Sequence, residues 1–296
     1  MANVYKVMFS VSLILMAISL ALFLIYGLNL GIDFTGGSFL EVEFLKERPQ
    51  IGTIKKTFSD LNIGQVLVSE AGERGLILKM AEVSEEMHQK ILAELKNLGE
   101  LEEKRFDSIG SVLGSELKRK SVIAIVIALF FISLYLAIAF YKIGGTIRPW
   151  ILALGAIIAL IHDLLLPMGL FVWLGQFKDV TIDASIIAAA LTILGYSVND
   201  TVVIYDRIRE NIVKKASRDF NTIVHESIKQ TLSRSINTGL AAILMMIAIY
   251  FFGGETLKNF SLALIIGIAS GAYSSIFVAS PILMMFYRAK HDNRGA

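Results

Sequence analysis

The stretch "ILGYSVNDTVVIYDRIREN", Ile193 to Asn211, decides how this chain folds. It opens as an apolar membrane helix, places Asn199 and Asp200 inside the run, and meets its next charge only at Asp206. If Asp206 marks the water boundary, a rise of about 1.5 Å per residue puts the Asp200 carboxyl roughly 9 Å inside the apolar layer. A charge at the centre of a membrane helix costs at least ~2.5–3.5 kcal/mol by insertion scales, so an acid there needs a partner or a purpose. Two readings follow for Asp200: an acid that binds and releases a proton, or a permanently paired structural carboxylate.

The rest of the chain agrees that this stretch lies in a membrane. It is 55% hydrophobic with a mean hydropathy of +0.64, far from a soluble globular profile. A net charge of +2 gives no reason to expect nucleic acid or an acidic partner, and the absence of cysteine excludes disulfides and thiolate chemistry. A spanning helix needs about 20 mostly apolar residues. Six stretches qualify: 8–28, 121–141, 150–174, 183–205, 236–252 and 260–286. The first lacks a small-residue cleavage site before "GLNLGIDF", so it is expected as a retained span and not a removed signal.

Lys and Arg in the short loops set the expected orientation. Lys142 and Arg148 lie in one loop. Arg207, Arg209, Lys214, Lys215, Arg218, Lys229 and Arg234 lie in or at the end of the basic loop 206–233, and Arg288, Lys290 and Arg294 in the tail. The alternating loops "GQFKDVT" and "FGGETLK" carry one lysine each. Both termini are therefore expected in the cytoplasm and residues 30–119 outside the cell membrane.

Residues 30–119 are too polar for a bilayer and pattern as a small α/β domain. "SFLEVEFL" alternates as a strand, "IGTIKKTFSDL" has helical spacing, and "QVLVSE" and "GLILKM" flank the turn residues "AGERG". "SEEMHQKILAELKNL" opens with Ser84 and acids, a good helix start, and "LEEKRFDSI" closes as a strand. The order β-α-β-β-α-β is that of ferredoxin-like domains. The expected fold is thus a polytopic α-helical membrane protein of six transmembrane helices. One small ferredoxin-like extracytoplasmic domain lies between helices 1 and 2. That domain shows no cluster of catalytic residues and suits a binding or lever role.

Other intramembrane polar residues have competing readings. Arg234 opens the fifth span and Thr238 follows one turn later on the same face. Arginine stays charged, so Arg234 would gate Asp200 and Thr238 would relay or hold a water; the alternative is a snorkelling interfacial arginine. His162 and Asp163 sit mid-span as a second relay or as polar packing, and adjacent helix positions point about 100° apart. Asp183 is expected as a helix cap and Asp33, among glycines, as part of a turn. Gly267, Gly271, Ser275 and Ala279 form a small-residue stripe, suited to packing within this bundle or against a partner. No Gly-x-Gly-Asp partner exists for an aspartyl protease, and "GYS" followed by "VND" fits a serine hydrolase poorly, so no enzyme activity is expected.

Taken together, "GIDFTGG", "SIGSVLGSELKRKS", "IHDLLL", "LGYSVNDTVVIYDRIREN", "SIKQTLSRSINTG" and "LKNFSLALIIGIASGAYSSIFVASP" resemble the SecF family of protein-export membrane subunits, in order and over nearly the whole chain. The resemblance implies membership of the resistance–nodulation–division superfamily and pairing with SecD. It also implies use of the proton-motive force to help pull unfolded preproteins out of the SecYEG channel, in the neighbourhood of YajC/YidC, from the cell inner membrane. It places proton-pathway roles on Asp200, Arg234 and Thr238, and the signature of the first domain on Asp33, Gly36 and Gly37. No cofactor is implied beyond the proton gradient. A further proton-pathway acid belongs to SecD, so this chain alone is not expected to be a complete pump. The rivals are a small-molecule or lipid exporter of the same superfamily, for which residues 30–119 are too short, and a purely structural translocon subunit.

Overall fold

The computed structural model describes residues 3–59, 63, 66–140, 149–214, 217 and 219–292. Lys142, Arg148, Lys215, Arg218 and Arg294 lie outside the described residues, as do the side chains of Arg288 and Lys290. In chain order the elements begin with α1 (Asn3–Tyr26), the one-turn α2 (Ile32–Thr35), β1 (Gly37–Phe44), α3 (Ile51–Ser59), β2 (Leu67–Ala71) and β3 (Gly75–Met80). There follow α4 (Glu85–Leu98), β4 (Leu101–Ile109), α5 (Ser111–Ala139), α6 (Pro149–Lys178), α7 (Ala184–Val213) and α8 (Phe220–Phe252). The last helix is α9 (Glu255–Ser274), continued through a π-helical turn (Ser275–Ala279) into α10 (Ser280–Asp292). The chain divides into a polar unit, Leu30–Val122, and a membrane unit formed by Met1–Asn29 with Ile123–Ala296.

The polar unit has a four-stranded antiparallel sheet in the order β2-β3-β1-β4, the ferredoxin-like arrangement expected from the sequence. Strand alternation sends Leu40, Val42 and Phe44 of β1 and Leu76 and Leu78 of β3 to one face. Ile54 and Phe58 of α3 and Ile91, Leu92 and Leu95 of α4 close that core. Each such side chain, fully buried, stabilises the unit by about 1.5–3 kcal/mol before entropy is counted. Ser84 caps α4, its hydroxyl accepting from the Met87 N–H at 3.4 Å.

The glycine pair ahead of β1 has a steric cause. Gly36 has φ 77° and Gly37 φ 130°, backbone that other residues rarely adopt. A Cβ on Gly36 would lie 2.6 Å from Ser111 Cα, and one on Gly37 2.6 Å from the Met80 carbonyl oxygen. A Cβ on Gly114 would in turn lie 2.8 Å from the Gly36 nitrogen. The start of α5 therefore lies directly on the entry to β1, and Asp33 sits half-buried in the helical turn just before it.

Among the described residues, six helices are long and apolar enough to cross a bilayer. α6 and the α9–α10 helix are the most enclosed, whereas α1, α5 and the membrane half of α8 leave most of their apolar surface uncovered within this chain. The core gathers at one end, where Leu136 of α5 and Phe140 just after it meet Leu152 and Ala156 of α6, Ile204 and Tyr205 of α7, Val224 of α8 and Leu283 of α10.

Helices run past the apolar stretches that define the spans. The segment 206–233, expected as a basic loop, is mostly helical in its described residues: α7 continues to Val213 and α8 begins at Phe220. Charged residues stop a hydropathy count but not a helix, because they pair along its surface. Asp206 pairs with Arg209 at 2.7 Å, and Glu210 with Arg207 and Lys214 at 2.7 and 2.6 Å. Asp219 then caps α8 through the Thr222 N–H at 2.9 Å. Asp183 caps α7, accepting from the Ile186 N–H at 3.2 Å and the Ser185 hydroxyl at 2.6 Å.

Candidate functional site

The site begins with how closely α7 and α9 approach. Gly267, Gly271, Ser275 and Ala279 lie along α7 in register with Ile193, Ser197, Thr201 and Tyr205, each step four residues in both helices. A Cβ on Gly267 would fall 2.2 Å from Ile193 Cδ1, and one on Gly271 3.0 Å from Ser197 Cβ. Further along, the Ser275 and Thr201 hydroxyls are 2.9 Å apart, and the Tyr205 hydroxyl reaches the Ala279 carbonyl at 3.5 Å. The stripe is thus occupied by this chain's own helix, as small residues permit.

That close approach brings three serines around Asp163, which is fully buried. Ser197 of α7 donates to Oδ2 at 2.5 Å, and Ser274 of α9 donates to the same oxygen at 2.6 Å. Ser270 of α9 donates to Oδ1 at 2.9 Å, and His162 Nδ1 lies 2.8 Å from Oδ1. His162 and Asp163, whose positions on the helix point about 100° apart, nonetheless meet through Nδ1 and Oδ1. Two features adjust the helices here. Pro167 cannot donate to the Asp163 carbonyl one turn back. The π turn begins at Ser275, directly after Ser274, and its Ser275 carbonyl accepts from the Ser280 hydroxyl at 2.8 Å.

Asp200, one turn beyond Ser197 on α7, is held differently. It is 9% exposed, and its Oδ1 accepts one hydrogen bond, from Ser235 of α8 at 2.5 Å. Its Oδ2 is buried with no hydrogen-bond partner among the described residues. Arg234 makes no ion pair with Asp200: α8 turns Thr231, Ser235 and Gly239 into the bundle, which leaves Arg234 and Thr238 exposed on the adjoining face. Asn199 is likewise exposed. Of the residues singled out by sequence, the fold joins Asp163 to His162 and sets Asp200 of α7 against Ser235 of α8, while Arg234, Thr238 and Asn199 occupy the outside of this chain. Sequence reasoning weighed Ser197 only as a hydrolase serine within "GYS", and overlooked Ser235, Ser270 and Ser274. The last two are an i, i+4 pair beside the small-residue stripe, which is the signal that marks an inward polar face.

Among the described residues, no group of three or more His, Asp or Glu is arranged to hold a metal ion. The arrangement offers buried carboxylates, hydroxyls and an imidazole at the centre of a helical bundle. Groups of these types can accept and donate protons.

Comparison with known proteins supplies the context. Residues 89–289 match the family described as protein export membrane protein SecD/SecF, C-terminal, and residues 21–44 match the SecD/SecF GG motif. The protein translocase subunit SecF of Thermobaculum terrenum is 40% identical over 275 residues, 88% of this chain and 85% of that protein. The SecF subunit of Rickettsia prowazekii is 37% identical over 299 residues, 99% and 92% of the two chains. Among solved structures, SecDF from Thermus thermophilus superposes with a TM-score of 0.84 at 30% identity, covering 96% of this chain. A SecDF structure in the super-membrane-facing form gives 0.70 at 28% identity over 98%. This chain spans 38% and 39% of those two longer SecDF chains. With its glycine pair and its buried fourth-span acid falling within the matched segments, the chain belongs to the SecD/SecF family of protein-export membrane proteins, among the SecF translocase subunits.

Proposed function

We propose that this chain works as the SecF half of a proton-driven SecDF unit that promotes late release of unfolded preproteins from the SecYEG channel. Asp200 binds the proton. The observation that carries this reading is its carboxyl: one oxygen held by Ser235, the other buried and without a partner among the described residues. Protonation there turns an acceptor-only group into a donor and changes what it can hold on α8. Arg234 and Thr238 lie on the exposed face of the same helix, among the uncovered Ile236, Leu240, Leu244 and Met245. A SecD partner packing on that face would enclose Arg234 and supply the second acid of the pathway.

The energetics suit a ratchet. One proton crossing the membrane releases about 2.3 kcal/mol per 100 mV of potential. That biases a two-state element without unfolding a stable domain. Both termini lie on the cytoplasmic side of the inner membrane in this reading, in keeping with Arg207, Arg209 and Lys214 at the end of α7.

The test is Asp200→Asn in cells that depend on this protein, with its own SecD. Late preprotein release is measured beside SecD co-purification at equal membrane levels. Release is expected to fail while the complex still assembles. Normal release with a permanently neutral amide would make Asp200 a packing residue and end the reading.

A further inference from the structure

We propose that His162 and Asp163 form a second proton-binding site in this chain, distinct from Asp200, with the proton carried on His162 Nε2. The argument starts from donors and acceptors. An ionised carboxylate only accepts, and Asp163 is surrounded by four donors: the hydroxyls of Ser197, Ser270 and Ser274 and the Nδ1–H of His162. A proton placed on Asp163 would have to displace one of these donors, as by turning the Ser274 hydroxyl to the Gly271 carbonyl, 3.2 Å away. The neutral imidazole, donating from Nδ1, leaves Nε2 as its remaining acceptor, and Nε2 is fully buried without a hydrogen-bond partner among the described residues. Nε2 is therefore the open place for a proton. Taking it up changes the pair from net −1 to a neutral imidazolium–carboxylate pair, the charge state that a bundle interior favours.

The helices packed round this pair bring few other ionisable groups. α7 carries Tyr196 and Asp200 within one turn of Ser197, and α9 carries Tyr273. α1, which also packs on α6, has no ionisable side chain between Lys6 and Tyr26. Tyr273 is the group positioned to sense the charge. Its ring lies nearly parallel to His162, 21° off with centroids 6.1 Å apart, at the reach of a cation–π contact. Its hydroxyl donates to the Met8 carbonyl of α1 at 2.7 Å and accepts from Ser12 at 3.3 Å. A charge arriving on His162 is felt through Tyr273 by α1.

The experiment is solid-state 15N spectroscopy of imidazole-labelled chain, co-assembled with its SecD in lipid nanodiscs, between pH 5 and pH 8. The four histidines are His88, His162, His225 and His291, and the His162 signal is assigned by its loss in His162→Gln. Should that variant not assemble, the assignment is made from a chain with the other three replaced by Gln. The imidazolium fraction of His162 is expected to rise at least about tenfold from pH 8 to pH 5, with Nδ1 protonated throughout. The same titration is expected in Asp200→Asn, which separates this site from the proposed export acid. A His162 whose protonation stays constant across the range, neutral or charged, overturns the proposal, and so does a titration that disappears in Asp200→Asn.

Discussion

Asp163 and Asp200 are both carboxylates inside the membrane unit, on the neighbouring helices α6 and α7, yet they are held in opposite ways. Asp163 is sealed from solvent with four hydrogen-bond partners drawn from α6, α7 and α9. Among the described residues, Asp200 is 9% exposed with a single hydrogen-bond partner, on α8, and one oxygen without a partner. A saturated buried anion fixes geometry, because any movement of its three helices breaks several charge-assisted bonds at once. A half-satisfied acid fixes little and can change partners when it gains a proton. The difference assigns α6, α7 and α9 to a frame and the contact between α7 and α8 to a joint. Both jobs are done by aspartate, so residue type alone does not tell them apart.

The largest predicted effect tests the frame. Asp163→Ala takes the acceptor from the Ser197 and Ser270 hydroxyls and an imidazole in the bundle interior, while Ser274 keeps the Gly271 carbonyl at 3.2 Å, and a loss of about 3–5 kcal/mol is expected, as for one partner removed from a buried pair. Asp200→Ala frees only Ser235, whose hydroxyl can turn to its own helix, and should cost about 1 kcal/mol. Thermal unfolding of the chain with its SecD in detergent measures both. Equal losses would break the distinction between frame and joint. A smaller effect sharpens it. Ser197→Ala and Ser235→Ala each remove one hydroxyl, for about 0.5–1.5 kcal/mol apiece. Asp163 keeps three donors in the first, whereas Asp200 keeps none in the second. Only Ser235→Ala should shift the pH dependence of preprotein release; a matching shift in Ser197→Ala would move the joint to α6.

Much of this architecture is legible in the sequence, because it rests on local periodicity. Alternation in "SFLEVEFL" and the turn in "AGERG" are enough for a ferredoxin-like order, and the long apolar runs are enough for six helices. The helix ends were less legible. A hydropathy count stops at Asp206, while the ion pairs at Glu210 carry α7 a further two turns into water. The site was legible only in its acids. Arg234 and Thr238 share a helix face, as their spacing implies, but the inward face of α8 is the one bearing Thr231 and Ser235. Facing direction is a tertiary fact that one helix's spacing cannot supply. The serines round Asp163 are separated from it by 34, 107 and 111 residues, so nothing local announces them.

A third carboxylate carries the comparison into water. Asp219, ahead of α8, accepts from the Thr222 hydroxyl at 2.8 Å and its N–H at 2.9 Å, and these bonds, the hydroxyl first, hold its carboxyl below the ordinary aspartate range. Because the folded value is depressed, the cap's stabilising effect is fully present above the unfolded aspartate value, about 3.9, and is lost as pH falls through the lower, folded one. Asp219→Ala should therefore cost about 1 kcal/mol near neutral pH, with the deficit shrinking in acid. Asp219→Asn keeps an acceptor and should show little dependence on pH. Melting curves of the three proteins from pH 7 to pH 3 check this. A deficit in Asp219→Ala that stays constant into acid would mean that the cap acts by shape alone, leaving its charge without effect on α8.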